Sequence, residues 1–335
     1  MNKAQLSVHQ EDPKRQVADL QSLCVQAHAA NLMVLHDQTL ACVWFGGSME
    51  GKSDISVFMS QLNPESETWS TPVQLSHDPE RSEQNPILFP APNGELWLLH
   101  TAQQSGNQDT AIVRRRISKD NGMSWGATEQ MDGLALGTFV RQPIHVHTDG
   151  TWLLPTFDCR ILPGEKWDGS HDLSAVLRST DQGKSWTRIE VPNSIGCVHM
   201  NIVPAADGKL LAFFRSRWAD FIYTTSSVDG GLTWSTPVPT ELPNNNSSIQ
   251  ALRLKDGRLA MIFNHSSALD ATERRASLYD ELEDDDASKH DVKSSDVSNE
   301  RRAFWGAPRA PMTLALSEDE VLYLVENFIR LERNP

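Results

Sequence analysis

The sequence predicts an all-β fold, a β-propeller whose last blade is truncated or rewritten. One observation is an eight-residue pattern that recurs three times, at residues 118–125, 179–186 and 227–234. A second is a tight-turn dipeptide between two apolar runs, repeated roughly every 50 to 60 residues. A third is the absence of long helical periodicity up to about residue 270, which disfavours helical bundles and doubly wound folds. The turn dipeptides are Asn93-Gly94, Asp149-Gly150, Asp207-Gly208 and Asp256-Gly257.

Each copy of the eight-residue pattern reads Ser-x-Asp-x-Gly-x-Ser/Thr-Trp. Asp and Gly suit a tight turn, the hydroxyl groups bond local backbone, and we expect each Trp to be a largely buried anchor. One repeat contains an apolar strand, the dipeptide turn, a second strand, a loop, a third strand, the eight-residue box and a fourth strand. Four antiparallel strands per repeat indicate a propeller blade. We expect a single domain, residues 1–335, with blades at about 25–75, 80–135, 138–192, 195–240 and 245–319.

Two segments interrupt the repeat. An insertion at about 268–305 has a mostly acidic centre, residues 280–291, followed by a Ser-rich stretch, which is typical of a solvated surface loop. Near the end, a further box begins at Ser317 and Asp319 but does not continue to the expected Gly and Trp. The start of a sixth blade is therefore missing. We expect either that residues 321–331 cap the fold or that the residues before Val25 cover the exposed edge.

The composition excludes several classes of partner. A formal net charge of −14 argues against nucleic acid, because phosphate binding requires a basic surface. No apolar run approaches the roughly 20 residues of a membrane span, and the polar N-terminus has no signal-peptide core, so we expect a cytoplasmic protein that does not bind membranes. The four cysteines show no CxxC spacing, which indicates buried free thiols and predicts no metal and no cofactor. They are Cys24, Cys42, Cys159 and Cys197.

The eight-residue pattern resembles the Asp box of sialidases and related BNR-repeat proteins. Further stretches are similar to the neuraminidase-like branch of that family over about residues 24–319. These stretches are VWFGGSMEGKSD at 43–54, QNPILF at 84–89, FFRSR at 213–217, NNNSSIQALRLKDGR at 244–258 and FNHSS at 263–267. The resemblance implies a sialidase-like propeller with six blades and a glycoside hydrolase activity on carbohydrate.

The strand order locates a site without reference to the family. Turns and boxes share one face of the fold, so the starts of first strands and the ends of second strands share the other. Counting nine residues back from the Gly of each turn reaches Asn85, Arg141, His199 and Ser248, with His28 equivalent in the first blade. The ends of second strands supply Gly46, Thr101, Asp158, Arg215 and Asn264. Such a polar ring is the default binding site, although it could also do no more than solvate the channel mouth. The predicted substrate-binding residues are His28, Asn85, Arg141, His199, Arg215, Arg217 and Asn264.

Catalysis needs carboxylates beside that ring. The glycine-rich loop at residues 46–54 carries Glu50 and Asp54, either of which suits a general acid/base. Further candidates for a second carboxylate lie in the long third-blade loop: Asp158, Glu165, Asp168 and Asp172. In sialidases an Asp of a first-blade loop has the acid/base role. This sequence departs from the sialidase pattern, because His28 stands where the family has an arginine and the expected tyrosine nucleophile has no clear counterpart.

We therefore expect a sialidase-like glycoside hydrolase acting on sialic acid or another acidic sugar. The partner would be a carbohydrate, specifically an anionic glycan held by arginine side chains. Two alternatives stay open: a non-catalytic carbohydrate-binding propeller, and a polysaccharide lyase that uses His28 or His199 as base. A pair of carboxylates about 5 to 9.5 Å apart would favour the hydrolase.

Overall fold

A computed structural model describes residues 4–10, 12–275, 278 and 301–318, together with the backbone of 329–331. The chain divides into two compact units, residues 1–141 and residues 142–335. The described residues form twenty-four strands and one short 3-10 helix, Ala268–Asp270, so the all-β prediction is confirmed. The prediction of a single domain stays a prediction.

Unit one contains two antiparallel sheets, blades one and two, together with a small ribbon and a closing strand. Blade one has the strand order β3-β4-β5-β6 with β7 beside β5, and blade two has the order β11-β10-β9-β8. Strands β1 and β2 form the ribbon, and β12 ends the unit. The strands are β1 Ser7–Val8, β2 Gln16–Val17, β3 Gln26–Val34, β4 Leu40–Gly47, β5 Ser56–Asn63, β6 Thr68–Trp69, β7 Val73–Gln74, β8 Arg81–Pro90, β9 Leu96–Gln104, β10 Asn107–Ser118, β11 Glu129–Gln130 and β12 Thr138–Val140.

Unit two contains three further antiparallel sheets, blades three to five. Blade three runs β14-β15-β16 with β13 beside β14, blade four runs β17-β18-β19-β20, and blade five runs β21-β22-β23-β24. The strands are β13 His145–Val146, β14 Trp152–Asp158, β15 Leu173–Ser179, β16 Thr187–Glu190, β17 Cys197–Pro204, β18 Leu210–Ser216, β19 Phe221–Ser227, β20 Val238–Pro243, β21 Gln250–Arg253, β22 Leu259–Asn264, β23 Met312–Ser317 and β24 Ile329–Leu331.

The register places turns and Asp boxes at the same edge of each blade. In blade two, Pro90 lies opposite Leu96, which in turn lies opposite Ser118 at the start of the box. Blade four repeats this arrangement with Pro204, Leu210 and Ser227. The starts of first strands and the ends of second strands therefore lie at the opposite edge of the sheet.

The Asp box closes on itself through side-chain to backbone bonds. Asp120 Oδ1 accepts hydrogen bonds from the Ser118 hydroxyl at 2.8 Å and from the backbone N–H of Ser124 at 2.8 Å. The N–H of Gly122 donates to Ser118 Oγ at 2.8 Å, and Gly122 has φ +90°, where a side chain would be strained. The boxes at 179–186 and 227–234 make the same bonds, so their aspartates are structural.

The box tryptophans differ in burial. Trp234 is 6% exposed and lies in the core between blades three and four. Trp125 and Trp186 are less completely buried, and Trp125 packs against the cluster of blades one and two. The prediction of burial is therefore confirmed for Trp234 and met in part by the other two.

Neighbouring blades within each unit pack face to face through aliphatic and aromatic side chains. In unit one, Val43 and Val57 of blade one meet Leu88 and Leu98 of blade two. In unit two, one cluster joins blades three and four and a second joins blades four and five. Residues alternate along each strand, so a blade presents one apolar face to each neighbour. Three cysteines are buried free thiols as expected, and Cys24 is half-buried.

The two ends of the chain both extend blades. Residues before Val25 cover the outer face of blade one, where Ala4, Leu20 and Cys24 pack against a cluster that contains Trp44 and Trp69. The N–H of Trp69 also donates to the carbonyl of Ala4 at 2.7 Å. At the other end, β24 pairs with β23 as the fourth strand of blade five. Residues 329–331 thus extend blade five, and the N-terminal residues pack on blade one. The rest of 319–335 lies outside the described residues, so both alternatives for the exposed edge stay predictions.

The insertion is not a solvated loop throughout. Its acidic centre, 280–291, lies outside the described residues, but residues 301–308 lie in unit two with Ala303, Trp305 and Ala307 buried. Trp305 is 2% exposed, and its backbone pairs with Arg275. The expectation of a surface loop is therefore wrong for this end of the insertion, because AFWGA at 303–307 supplies apolar side chains for burial. Within the part of the chain that the structure describes, no helix has the length and apolar character needed to span a bilayer.

Candidate functional site

Three of the register-predicted positions fall on β-bulges. The first strands of blades one, two and four each carry one extra residue against their partner strand, at 28–31, 84–87 and 198–201. Within these bulges Ala29, Asn85 and His199 have positive φ angles of 52°, 52° and 54°. Bulges redirect side chains and occur often beside functional sites, and a left-handed non-glycine residue costs free energy. The same local distortion therefore recurs where the polar ring was predicted.

In unit two, the bulge fixes the position of His199. Its Nδ1 lies 2.5 Å from the Ser248 hydroxyl, and its ring packs against Phe157 with ring centroids 5.0 Å apart. Asn246, close to Ser248 in the chain, also adopts a left-handed φ of 57°. The imidazole is 7% exposed and is held from two sides.

Arg215 is the penultimate residue of β18, the second strand of blade four, and lies opposite Val198, the neighbour of His199. Its Nε donates to Oδ1 of Asn246 at 2.7 Å, and its guanidinium carbon lies 5.6 Å from the centre of the Trp305 ring. Arg215 is half-buried. A guanidinium in this position matches the geometry of a carboxylate.

Arg217 has a different environment from Arg215. Its Nε and Nη2 lie 2.8 and 2.6 Å from Oδ2 of Asp172, and both side chains are almost completely buried. The rings of Trp305, Trp167 and Phe157 surround its guanidinium carbon at 5.1, 5.5 and 5.7 Å. Burial raises the pKa of Asp172, and the charge of Arg217 opposes that shift. Because the guanidinium is committed to Asp172, we leave Arg217 out of the proposed substrate ligands.

Asp158 also sits in an ion-pair network. Its Oδ2 lies 2.6 Å from Nη2 of Arg188 and 3.5 Å from Nη2 of Arg160. Side chains alternate along a strand, so Asp158 points away from the face on which Phe157 contacts His199.

Asn264, the last residue of β22, is half-buried opposite Met312.

In unit one, the loop that follows β4 brings Glu50 to His28. Oε2 of Glu50 lies 3.9 Å from Nδ1 of His28, whose ring stacks on Phe45 at 5.4 Å. The amide oxygen of Gln26 accepts the N–H of Glu50 at 3.0 Å and lies 3.3 Å from Nε2 of His28. The side chains of His28 and Glu50 are 31% and 28% exposed, so both can meet solvent or a ligand.

Asp54, the second carboxylate of that loop, forms a hydrogen bond within the loop. Asp54 is exposed, and its Oδ2 accepts the N–H of Ser48 at 2.9 Å. Of the other predicted residues in unit one, Asn85 is half-buried at its bulge and Arg141 ends the unit, where burial lowers its pKa to about 10. Glu50 is thus the loop carboxylate that lies beside a predicted ring residue.

Sequence reasoning missed Asn246, Trp167 and Trp305. Asn246 lies in the NNNSS run that carries the family resemblance, but no pattern assigned it a contact with Arg215. The apolar letters at 303–307, between a Ser-rich stretch and β23, were the available signal for Trp305.

A second missed cluster surrounds Tyr223 in blade four. Its hydroxyl donates to Oδ2 of Asp220 at 3.0 Å, and Nη2 of Arg301 lies 2.7 Å from the same oxygen. Burial raises the pKa of Tyr223, so the phenol stays protonated at neutral pH.

As far as the structure describes the chain, no group of three or more His, Cys, Asp or Glu side chains is arranged to hold a metal ion.

Comparison with known proteins supports one fold and one family. The family model described as a BNR repeat-like domain matches residues 38–334. An anhydrosialidase of Macrobdella decora is 27% identical over 176 residues, which is 48% of this chain and 22% of that protein. The chain thus spans less than a quarter of that relative.

Solved sialidase structures share the fold. The Hadza microbial sialidase Hz136 superimposes with a TM-score of 0.62 at 12% identity, covering 91% of this chain and 58% of that one. The intramolecular trans-sialidase of Ruminococcus gnavus, solved in complex with oseltamivir carboxylate, also gives 0.62 at 13% identity, covering 73% and 78%. These similarities confirm the predicted sialidase-like β-propeller class.

Proposed function

This chain belongs to the BNR repeat-like domain family, and we propose that it is a sialidase-like glycoside hydrolase acting on sialic acid or another acidic sugar. The observation that carries the proposal is Arg215, an arginine at the predicted ring edge of blade four whose Nε is held by an uncharged amide. A guanidinium fixed in this way can bind a substrate carboxylate through charge-assisted hydrogen bonds. The Ruminococcus gnavus relative was solved with a carboxylate ligand, which supports the same class of ligand here.

We assign substrate binding to ring residues of each unit. In unit two, His199 and Arg215 are held by Ser248 and Asn246, so their side chains are oriented before a ligand arrives. Preorganised polar groups lose less conformational entropy on binding than mobile ones. The proposed substrate-binding residues are His28, Asn85, Arg141, His199, Arg215 and Asn264.

We assign general acid/base catalysis to Glu50. It is half-exposed beside His28 on a loop, whereas Asp54 closes that loop and Asp158 is ion-paired with Arg188. A general acid must be able to reach the proton that it transfers, and Glu50 meets this condition best among these three carboxylates.

A non-catalytic carbohydrate-binding role is the second candidate. Tyr223 is the one tyrosine among the described residues; its hydroxyl donates a hydrogen bond to Asp220, and burial raises its pKa. This environment disfavours a phenolate nucleophile, which supports binding without hydrolysis.

Turnover and binding of aryl sialosides and aryl uronides test the proposal. We expect hydrolysis by the unmodified chain and a loss of affinity of roughly 1.5 to 3 kcal/mol in Arg215→Ala, the range for charged hydrogen bonds. The control is Arg258→Ala, because Arg258 is paired with Asp256 at an exposed turn. Binding without turnover would favour the second candidate. Equal affinity of Arg215→Ala and the unmodified chain for every acidic sugar would reject the proposed site.

A further inference from the structure

The returning end of the insertion, residues 301–308, is built into blades three and four. The N–H of Phe304 donates to the carbonyl of Arg217 at 2.7 Å, and the N–H of Ala303 donates to Ser170 Oγ at 2.9 Å. The indole N–H of Trp305 donates to the carbonyl of Asp168 at 2.9 Å. Backbone bonds from both sides therefore determine where Trp305 and Phe304 lie. We call residues 301–308 the return segment.

Three consecutive asparagines connect the return segment to the end of β18. Asn244 Oδ1 accepts the N–H groups of Ser216 and Asn246, both at 3.0 Å. Asn245 Nδ2 donates to the carbonyl of Pro308 at 2.6 Å. All three asparagines are buried, which is uncommon for amides unless their hydrogen bonds are made.

Asn246 joins the return segment directly to Arg215. Its Nδ2 donates to the carbonyl of Phe304 at 2.9 Å, and its Oδ1 accepts from Nε of Arg215 at 2.7 Å. The carbonyl of Phe304 can only accept, so the amide nitrogen must face it and the amide oxygen must face Arg215. The return segment thereby sets the direction of the Asn246 side chain.

The two arginines at the end of β18 bind different groups through Nε. Nε of Arg217 donates to the carboxylate of Asp172, whereas Nε of Arg215 donates to the amide oxygen of Asn246. The Trp305 ring lies near both guanidinium groups, 5.6 Å from the central carbon of Arg215 and 5.1 Å from that of Arg217. An amide orients a guanidinium without adding a negative charge beside it.

We infer that Asn246 and the return segment are positioning elements that orient Arg215 for an anionic sugar, an assignment that rests on the proposed function. Asn246 touches Arg215 rather than the substrate, and Phe304 and Trp305 act through Asn246 and the guanidinium. The insertion thus contributes to anion recognition through its described end.

The test compares Asn246→Gly with Asn121→Gly. Both asparagines have φ 57°, so glycine relieves the same backbone strain at each position, and only the first substitution removes a contact with Arg215. The probes are the methyl α-glycoside of N-acetylneuraminic acid and the methyl ester of that glycoside, which lacks the negative charge. Thermal unfolding of each variant shows that it is folded.

We expect Asn246→Gly to weaken binding of the charged probe by roughly tenfold, the effect of one charge-assisted hydrogen bond, and to leave binding of the ester within about twofold. Asn121→Gly should leave the affinities for both probes unchanged. Asn246→Asp, which places a carboxylate against Arg215, should weaken binding of the charged probe at least as strongly. In the double variant, adding Asn246→Gly to Arg215→Ala should cause no further loss of affinity for the charged probe.

Different results separate the inference from the proposed function. Suppose that Arg215→Ala loses affinity for the charged probe while Asn246→Gly and Asn246→Asp bind that probe as tightly as the unmodified chain does. The positioning role is then overturned and the proposed site stands. If Asn246→Gly weakens binding of the charged and ester probes equally, the positioning role is also overturned, since that result indicates a general packing role. If the unmodified chain and Arg215→Ala bind the charged probe equally, the proposed function itself fails.

Discussion

Nη2 of Arg217 lies 2.6 Å from Oδ2 of Asp172, and neither side chain is more than 2% exposed. The indole N–H of Trp167 donates to the other carboxylate oxygen at 2.9 Å. This pair joins blade four to the end of blade three within unit two. Because a buried charge without its partner is very costly, each member depends on the other.

The first prediction concerns that pair. Asp172→Asn leaves the Arg217 charge buried without a carboxylate, and we expect the free energy of unfolding to fall by about 3 to 5 kcal/mol. Urea denaturation of the variant and of the unmodified chain measures this loss in free energy of unfolding. The control is Asp256→Asn, which removes an exposed pair with Arg258 and should lower the free energy of unfolding far less. Equal small losses in both variants would contradict the structural role of Asp172.

The second prediction concerns Glu50. Glu50→Gln should lower turnover of an acidic aryl glycoside by roughly 10²- to 10⁴-fold, because an amide cannot transfer the proton. Stability should change by less than about 0.5 kcal/mol, since the side chain is half-exposed. Steady-state kinetics on Glu50→Gln and on Asp54→Asn decide between the two loop carboxylates. A loss of turnover only in Asp54→Asn would reject the assignment to Glu50.

The third prediction uses the difference in burial among the box tryptophans. Trp234→Ala should reduce the free energy of unfolding by about 3 to 5 kcal/mol, because it empties a site in the core between blades three and four. Trp186→Ala removes a half-buried ring from the equivalent position and should cost clearly less. Parallel denaturation curves compare the two. A larger loss at position 186 would show that burial does not determine the contribution of these anchors.

The fourth prediction is a pH dependence of the Asp boxes. Hydrogen bonds from the side chain and backbone of Ser185 lower the pKa of Asp181 to about 2, and Ser124 does the same for Asp120. The folded-state pKa is below the ordinary value, so the stabilisation is present above that value and is lost as the pH falls through about 2.

Asp181→Asn should therefore lower the unfolding temperature at pH 5, and the difference from the unmodified chain should shrink as the pH approaches 2. Thermal unfolding across this range measures it, with Asp132→Asn in an exposed loop as control. A difference that is constant with pH would mean that the carboxylate charge does not contribute to the box.

The repeated elements were predictable because their causes are local. Gly122 needs a left-handed backbone, and the bonds of Asp120 and Ser118 span four residues or fewer, so eight letters are enough to specify the box. Strand periodicity then fixes which edge of a blade carries the turns. The same count along the first strands reached Asn85 and His199, but that both lie on β-bulges was seen only in the structure.

The sequence by itself therefore determined the all-β blade pattern, the Asp boxes and the edge of each blade that carries them, since each depends on neighbours along the chain. Only the tertiary structure decided the roles of Arg215 and Arg217. They are two residues apart on one strand end, yet one binds the amide of Asn246 and the other the carboxylate of Asp172, 31 and 45 residues away in sequence. Contacts over such separations depend on how strands from different blades and the return segment pack together, and no local pattern encodes that packing.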